Sequence, residues 1–534
     1  MQLKITADYL HVPVNRTAEP VACRLHLDGA RVRYFDCRPC PPEDADFFAC
    51  YAVKEFRGRE LTLTAVANNL SAEFASWVRQ SDTPAAPNTA SEALRPQLHF
   101  SSRRGWLNDP NGLFCYNGQY HLFYQHNPFS VEWGNMHWGH AVSPDLVHWA
   151  ELDDALYPDA AGTMFSGSAV VDVNNDSGLG VAPHPPILLF YTAAGSCAPT
   201  PAAFTQCLAV STDGGLTFQK YAGNPIIPCL AKDNRDPKVV RDRQGGRWLL
   251  ALYLEKRGGD HVFGLLESHN LLEWNKFQEI TLPGTGECPD LFELPVDGGG
   301  GHRRWVFCAA DGKYRLGHFA DNRFVSDSGP YDFHCRQGEG NPYAAQTWDN
   351  VPDGRRLQMA WHLGAIPSPR FNMSMGLPVE LTLRTFADGI RLCAAPVAEL
   401  RQLRTGKEQA WQNFELAGFA EDHTAMVELG ELELEFTAGQ PVTLAINGAD
   451  LVCDPASGEI RFCNAVFRQA TSRNHFRLHL IVDRTSVELF ADDGRIYLCK
   501  RVLFTPENRF LRLSGAAATV ATYAIRELRS IWTA

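Results

Sequence analysis

The chain has 534 residues, too many for one hydrophobic core, and its length alone implies roughly two to four compact units. A formal net charge of −12 excludes a phosphate-binding surface of the kind nucleic acids require, because such binders concentrate Lys and Arg. The 15 cysteines, odd in number and scattered, do not describe a disulfide framework, while the 12 tryptophans supply flat rings of the kind that floor sugar sites.

From the N-terminus, Met1 to Asp8 carries no apolar leader, and no stretch approaches the ~20 apolar residues of a membrane span, so the expectation is a cytoplasmic protein without a membrane partner. Cys23-Arg24-Leu25-His26-Leu27 alternates as a strand does and ends in the turn formers Asp28-Gly29. Cys37 and Cys40 form a lone C-x-x-C beside Pro39, Pro41 and Pro42, which reads as a loop rather than a metal site. The small, proline-containing run from Ser81 to Ser91 has linker composition and closes a small β domain over residues 1–85.

Over residues 95–395, short strands alternate with loops rich in Gly, Pro, Asn and Asp. Aromatic-bearing strand segments recur at Tyr120 to Tyr124, Ile187 to Tyr191 and Trp248 to Tyr253. Repeated short strands about a shared centre predict a propeller, whose loops meet at one end of a central channel. Trp106-Leu107-Asn108-Asp109-Pro110-Asn111-Gly112 reads by itself as a tight turn that holds one carboxylate rigidly beside a tryptophan. Two further acids stand in loops with unusual neighbours: Asp236 between Arg235 and Pro237, and Glu287 between Gly286 and Cys288-Pro289.

Cleaving a glycosidic bond takes one carboxyl to protonate the leaving oxygen and another to attack or screen the cationic sugar carbon. Glu287, in a partly apolar wall, is expected to have its pKa raised by desolvation and to donate the proton. Asp236, beside Arg235, is expected to stay ionised and grip sugar hydroxyls. The histidines at 121, 126, 137, 140 and 148 lack H-E-x-x-H spacing, and neither a phosphate loop nor a G-x-S-x-G elbow occurs, so no metal and no cofactor are expected. Residues 405–534 return to regular alternation, as in Leu478 to Arg484 and Ser486 to Phe490, and predict a closing β-sandwich.

Taken in order, Trp106 to Gly112, Phe165-Ser166-Gly167-Ser168, Arg235-Asp236-Pro237 and Glu287-Cys288-Pro289-Asp290 resemble glycoside hydrolase family 32, the invertases, inulinases, levanases and fructan β-fructosidases. Tyr124 to Pro128 and Trp133 to Ala141 are similar to the same family, as are Val482 to Arg484 and Ser486 to Phe490 in its C-terminal sandwich. The resemblance implies an all-β chain: a five-bladed β-propeller bearing the active site, a C-terminal β-sandwich, and an additional small N-terminal β domain. It implies Asp109 as nucleophile, Glu287 as general acid and base, and Asp236 as transition-state stabiliser. It also implies a fructosyl pocket lined by Asn108, Gln125, Trp133, Phe165, Ser166, Arg235 and Trp361. Phe371 to Leu383 is similar to the levanase and exo-fructosidase branch, whereas Val379 and the run Pro342 to Trp348 depart from the family's usual text.

These readings lead to a retaining hydrolase that releases terminal β-fructose from levan- or inulin-type fructans and from sucrose, its partner a neutral carbohydrate rather than nucleic acid or membrane. An invertase, a sucrose-6-phosphate hydrolase and a non-catalytic fructan-binding propeller stand beside it as alternatives, and the covalent intermediate would also permit transfer to a second sugar.

Overall fold

The computed structural model describes residues 1–65, 73–85, 92–198, 201–258, 260–299, 301–333, 342–503 and 510–532; the linker residues 86–91 lie outside the described residues. Nearly all regular structure is β-sheet. At the N-terminus, a four-stranded sheet (Gln2–Lys4, Glu60–Ala65, Val21–Leu27, Ala30–Cys37 in spatial order) faces a three-stranded one (Phe47–Ala52, Tyr9–Val14, Arg79–Ser81). Asp28 and Gly29, at φ +50° and +82°, make the two-residue hairpin connection that right-twisted strands favour. Alternate residues such as Leu10, Val12, Cys23 and Leu25 close a small core between the two sheets.

Five antiparallel sheets follow, each entered by its inner strand: Gly105–Tyr116, Thr163–Val171, Arg235–Asp242, Asp290–Pro295 and Pro342–Thr347. They are the five blades of a β-propeller. The aromatic-bearing segments seen in the sequence are second strands of blades one, two and three, lying within Gln119–Asn127, Ile187–Ala194 and Arg247–Arg257. Ile187–Ala194 is buried throughout, since neighbouring blades cover both of its faces, and that produces a continuous apolar run instead of alternation. The ring closes where Phe371–Asn372, from the blade-five region, pairs in parallel with the inner strand of blade one.

The C-terminal region is a β-sandwich wrapped about one core that includes Leu432, Phe436, Phe462, Leu480 and Leu513. Its long strand Phe510–Leu528 serves both layers, pairing with Val442–Ile446 through its first residues and with Gly430–Ala438 through its later ones, and Ala517 at φ +52° turns it between them. Such a strand makes a corner without breaking the ladder.

One buried ion cluster joins the sandwich to the propeller. His99 donates from Nδ1 to Asp483 Oδ2 (2.7 Å) and from Nε2 to Glu488 Oε1 (3.1 Å), while the backbone N–H groups of Gln97 and Leu98 also reach Asp483 and that of Leu377 reaches Glu488. Burial alone would lower the pKa of His99, but the two carboxylates hold it up at about 9. Its contribution to stability is therefore complete below the ordinary histidine value of 6.5 and is lost as pH rises through about 9. Thermal unfolding between pH 6 and 10 should show this slope in the native chain and its disappearance in His99→Gln. Asp483→Asn should destabilise the chain at pH 7, because it takes from the buried imidazolium the closer of its two carboxylate partners.

Candidate active site

At one end of the channel a cavity of about 180 Å³ is lined by every residue named from the sequence: Asn108, Asp109, Gln125, Trp133, Phe165, Ser166, Arg235, Asp236, Glu287 and Trp361. Cys288 and Tyr343 complete the lining, and the sequence reading did not name either as a site residue. In the sequence Tyr343 falls within the departing segment Pro342 to Trp348, and Cys288 stands out only as the neighbour of Glu287.

The backbone that aims these side chains differs from the expected turn. Asp109 lies in a strand, where Asn108 pairs with Gln125 and Pro110 with Tyr124, leaving Asp109 as the extra residue of a β-bulge. An inner edge strand with a bulge can accept Pro110, because its missing N–H is not needed for the ladder. Gly112, at φ +55°, completes the distortion, and a Cβ there would come within 2.9 Å of the Trp138 ring.

The device recurs around the ring. Ser166 is the extra residue of a bulge between Phe165 and Gly167, and a Cβ on Gly167 would come within 1.9 Å of the Phe190 carbonyl oxygen. Asp236 sits at φ +64° in a bulge between Arg235 and Lys238, and Ala344 at φ +51° in a bulge following Tyr343. Glu287 and Cys288, at φ +60° and +37°, lead into the inner strand of blade four. Each local kink turns toward the cavity a side chain that a regular pleat would direct elsewhere.

Ser166 Oγ donates to Asp109 Oδ2 at 2.6 Å, and the Cys288 thiol lies 3.6 Å from both Asp109 Oδ2 and Asp236 Oδ2. The Cys288 N–H donates to Asp236 Oδ2 at 3.0 Å, and the Asp236 N–H to Thr192 Oγ1 at 3.0 Å. Glu287 accepts from Arg235 Nη2 at 2.6 Å and from Tyr343 Oη at 2.7 Å. Arg235 also lies 3.8 Å from Asp236 through Nε and over the Tyr253 ring. Asn108 accepts from Trp106 Nε1, and Gln125 donates to the Met164 carbonyl, so both amides are fixed from behind. Trp133, 56% exposed, stands on the rim edge-on to Phe165. Trp361 packs edge-on against Trp106 and Tyr343.

The expected electrostatics are reversed at two residues. Burial pushes Asp236 up to about 7, the charges of Glu287 and Asp109 add to that, and Arg235 offsets only part of it. Burial also raises Glu287, but hydrogen bonds from Tyr343 and Arg235 outweigh it and leave the carboxyl below its ordinary range. Neighbouring letters could not show that Arg235 spends its closest bond on Glu287, 52 positions away, rather than on the adjacent Asp236. Asp109 is raised, mainly by burial and also by Glu287, against the hydrogen bonds of Ser166 and Asn108.

Residues 99–396 match the N-terminal domain of the glycosyl hydrolases of family 32, and residues 399–526 match that family's C-terminal domain. The chain belongs to glycosyl hydrolase family 32. It is 34% identical over 493 residues to a levanase of Bacillus subtilis, covering 83% of this chain and 71% of that one. It is 30% identical over 528 residues to an extracellular exo-inulinase of Aspergillus niger, covering 83% and 96%. The crystal structure of an exo-inulinase from Aspergillus awamori superposes with a TM-score of 0.73 at 27% identity, over 83% of this chain and 99% of that one. Relatives named as extracellular overturn the cytoplasmic expectation. A targeting leader is a detachable address that leaves no trace in the fold, so the first residues of the sequence do not decide the compartment. Among the described residues no helix is long and apolar enough to cross a membrane.

Burial of the Asp236 charge carries a stability cost with a definite pH dependence. The folded chain holds this proton more tightly than the unfolded one, so stability falls as pH rises from 3.8 to about 7. Asp236→Asn, which tolerates the left-handed backbone, should raise the unfolding free energy at pH 8. Denaturant titrations should show the gain vanishing toward pH 4.

Proposed function

We propose that this family 32 hydrolase removes terminal β-fructose from levan- or inulin-type fructans and from sucrose, with retention of configuration. The observation that carries the reading is the meeting of Asp109, Asp236 and Glu287 in one sugar-sized cavity whose only lining cation among the described residues is Arg235. The levanase and exo-inulinase relatives support a fructan substrate. A solved fructofuranosidase of Schwanniomyces occidentalis in complex with fructosylnystose, 25% identical with a TM-score of 0.73, supports it further. A phosphorylated sugar fits less well, because its phosphate would add negative charge to a cavity that already sets Asp109, Asp236 and Glu287 against Arg235.

In this reading Asp109 attacks the anomeric carbon from its bulge, positioned by Ser166, while Glu287 protonates the leaving oxygen and then activates water on the fructosyl ester. Asp236 grips fructosyl hydroxyls. The free site keeps its most tightly held proton on Asp236 rather than on Glu287. Sugar hydroxyls that take up the Arg235 and Tyr343 bonds release Glu287 to act as the acid, and the carboxyls titrate as a coupled set. Residues 1–85, 95–395 and 405–534 form the N-terminal unit, the catalytic propeller and the bracing sandwich in this assignment.

Incubation with levan, inulin, sucrose and sucrose phosphate, with the released sugars followed over time, tests the proposal. Free fructose as the sole early product from polymer is expected; early oligosaccharides would sink exo-action, and no turnover of any fructoside would favour a binding protein. Asp109→Asn should lower kcat by at least about 10⁴-fold, since an amide cannot form the ester. Tyr343→Phe removes a bond that holds Glu287 ionised, so the limb of the kcat/KM profile set by Glu287 should move to higher pH.

A further inference from the structure

The geometry points to the N-terminal β unit as the part of the chain that positions Trp133 on the pocket rim, with Asn135 as the positioning residue that couples the two. Residues 1–98 lie outside both family matches, and the catalytic reading gives them no part. The link runs through the connection between the second and third strands of blade one, residues 128–136, which carries Trp133. Phe129 and Val131 leave the propeller and are buried in the core of the N-terminal unit, among residues such as Leu10, Phe35 and Tyr51. Phe129 stacks on Phe35 with ring centres 4.1 Å apart and planes 5° from parallel, and Tyr51 closes on it from the side at 5.1 Å.

Two residues beyond Trp133, the Asn135 amide grips the backbone of the unit from both sides. Its Nδ2 donates to the Asp36 carbonyl at 2.6 Å, and its Oδ1 accepts from the Asp36 N–H at 2.7 Å. Asn135 is held at φ +48° and Gly134 at φ +147°, so the chain turns sharply just after the tryptophan. His137, where the strand resumes, meets Tyr51 edge-on. The unit also reaches the rim of blade two, where Tyr34 Oη donates to the Cys197 carbonyl at 2.9 Å. Trp133 is thus flanked on both sides by contacts to residues 1–65, while the residue itself is more than half exposed; within the propeller the edge of Phe165 meets its ring, and Asn127 Nδ2 donates to the carbonyl of the preceding Glu132 at 2.8 Å. A large aromatic in that position keeps one orientation only if its backbone is fixed, and the Phe129 anchor and the Asn135 clamp fix it.

The consequence for turnover rests on the fructosidase reading. Sugar contact at the rim affects substrate binding more than the chemical step, so loosening Trp133 should appear in KM. The test uses the full chain as wild type, Trp133→Ala, Asn135→Gly and the double variant; glycine keeps the left-handed backbone and removes the clamp, together with the longer bond of 3.2 Å that Asn135 Nδ2 gives to Asn127 Oδ1. Asn135→Gly should raise KM for sucrose about tenfold with kcat within about twofold, and in the Trp133→Ala background it should change KM no further. An unchanged KM, or effects of the two substitutions that multiply, would overturn the inference. Hydrogen exchange over residues 128–136 gives a readout without substrate: exchange should quicken in Asn135→Gly while the blade-one strands stay protected. If wild type turns over no fructoside, the functional reading fails by itself and the positioning is judged by exchange, where equal rates in both chains would end it.

Discussion

Among the described residues three carboxylates share one cavity with a single guanidinium, and the geometry and electrostatics of the site follow from that imbalance. Arg235 cannot neutralise Asp109, Asp236 and Glu287 together, so burial and mutual repulsion raise two of them and leave Glu287, which holds the closest Arg235 bond, as the favoured anion. An arrangement of this kind is unfavourable for the isolated protein and suits a substrate whose hydroxyls replace missing hydrogen bonds and whose reaction develops positive charge at carbon. The Cys288 thiol and backbone N–H, the Ser166 hydroxyl and the Tyr343 hydroxyl are the uncharged donors that make this crowding tolerable.

Holding charges in such proximity requires backbone that departs from regular strand. The propeller supplies five inner strands around one channel, each exposing an edge, and bulges or left-handed residues at their pocket ends turn Asp109, Ser166, Asp236, Glu287 and Tyr343 inward. The strain of each kink is borne by the blade behind it, where second strands such as Ile187–Ala194 are buried on both faces. Rigid blades and irregular rims are complementary parts of one design: the first fixes positions that the second aims.

Beyond the ring, two attachments act on the catalytic unit. The sandwich is locked on through a buried imidazolium between Asp483 and Glu488, a link made of charge and therefore sensitive to pH. The N-terminal unit is joined by stacked rings and an amide clamp, together with a Lys54–Asp153 ion pair and the Arg33 guanidinium over the Tyr157 ring, and its clamp fixes a loop rather than a domain. Both attachments depend on partners about a hundred or several hundred positions apart in the chain.

The sequence alone determined the β character of the chain, because alternation and short apolar runs between turn residues are local signals, as at Val21–Leu27 with its Asp28-Gly29 turn. It also named ten of the cavity residues, since ordered motifs such as Arg235-Asp236-Pro237 survive as text. Where it failed, the deciding quantity was not local. The letters Asn-Asp-Pro-Asn-Gly spell a turn, yet a neighbouring strand made them a bulged ladder. Arg235 stands beside Asp236 in the chain but bonds most closely to Glu287, so which acid holds its proton was settled by folding rather than by adjacency. Tyr343 and Asn135 acquire their partners only across blades and units, and hydrogen bonds and burial depend on distance in space, which only the tertiary structure decides.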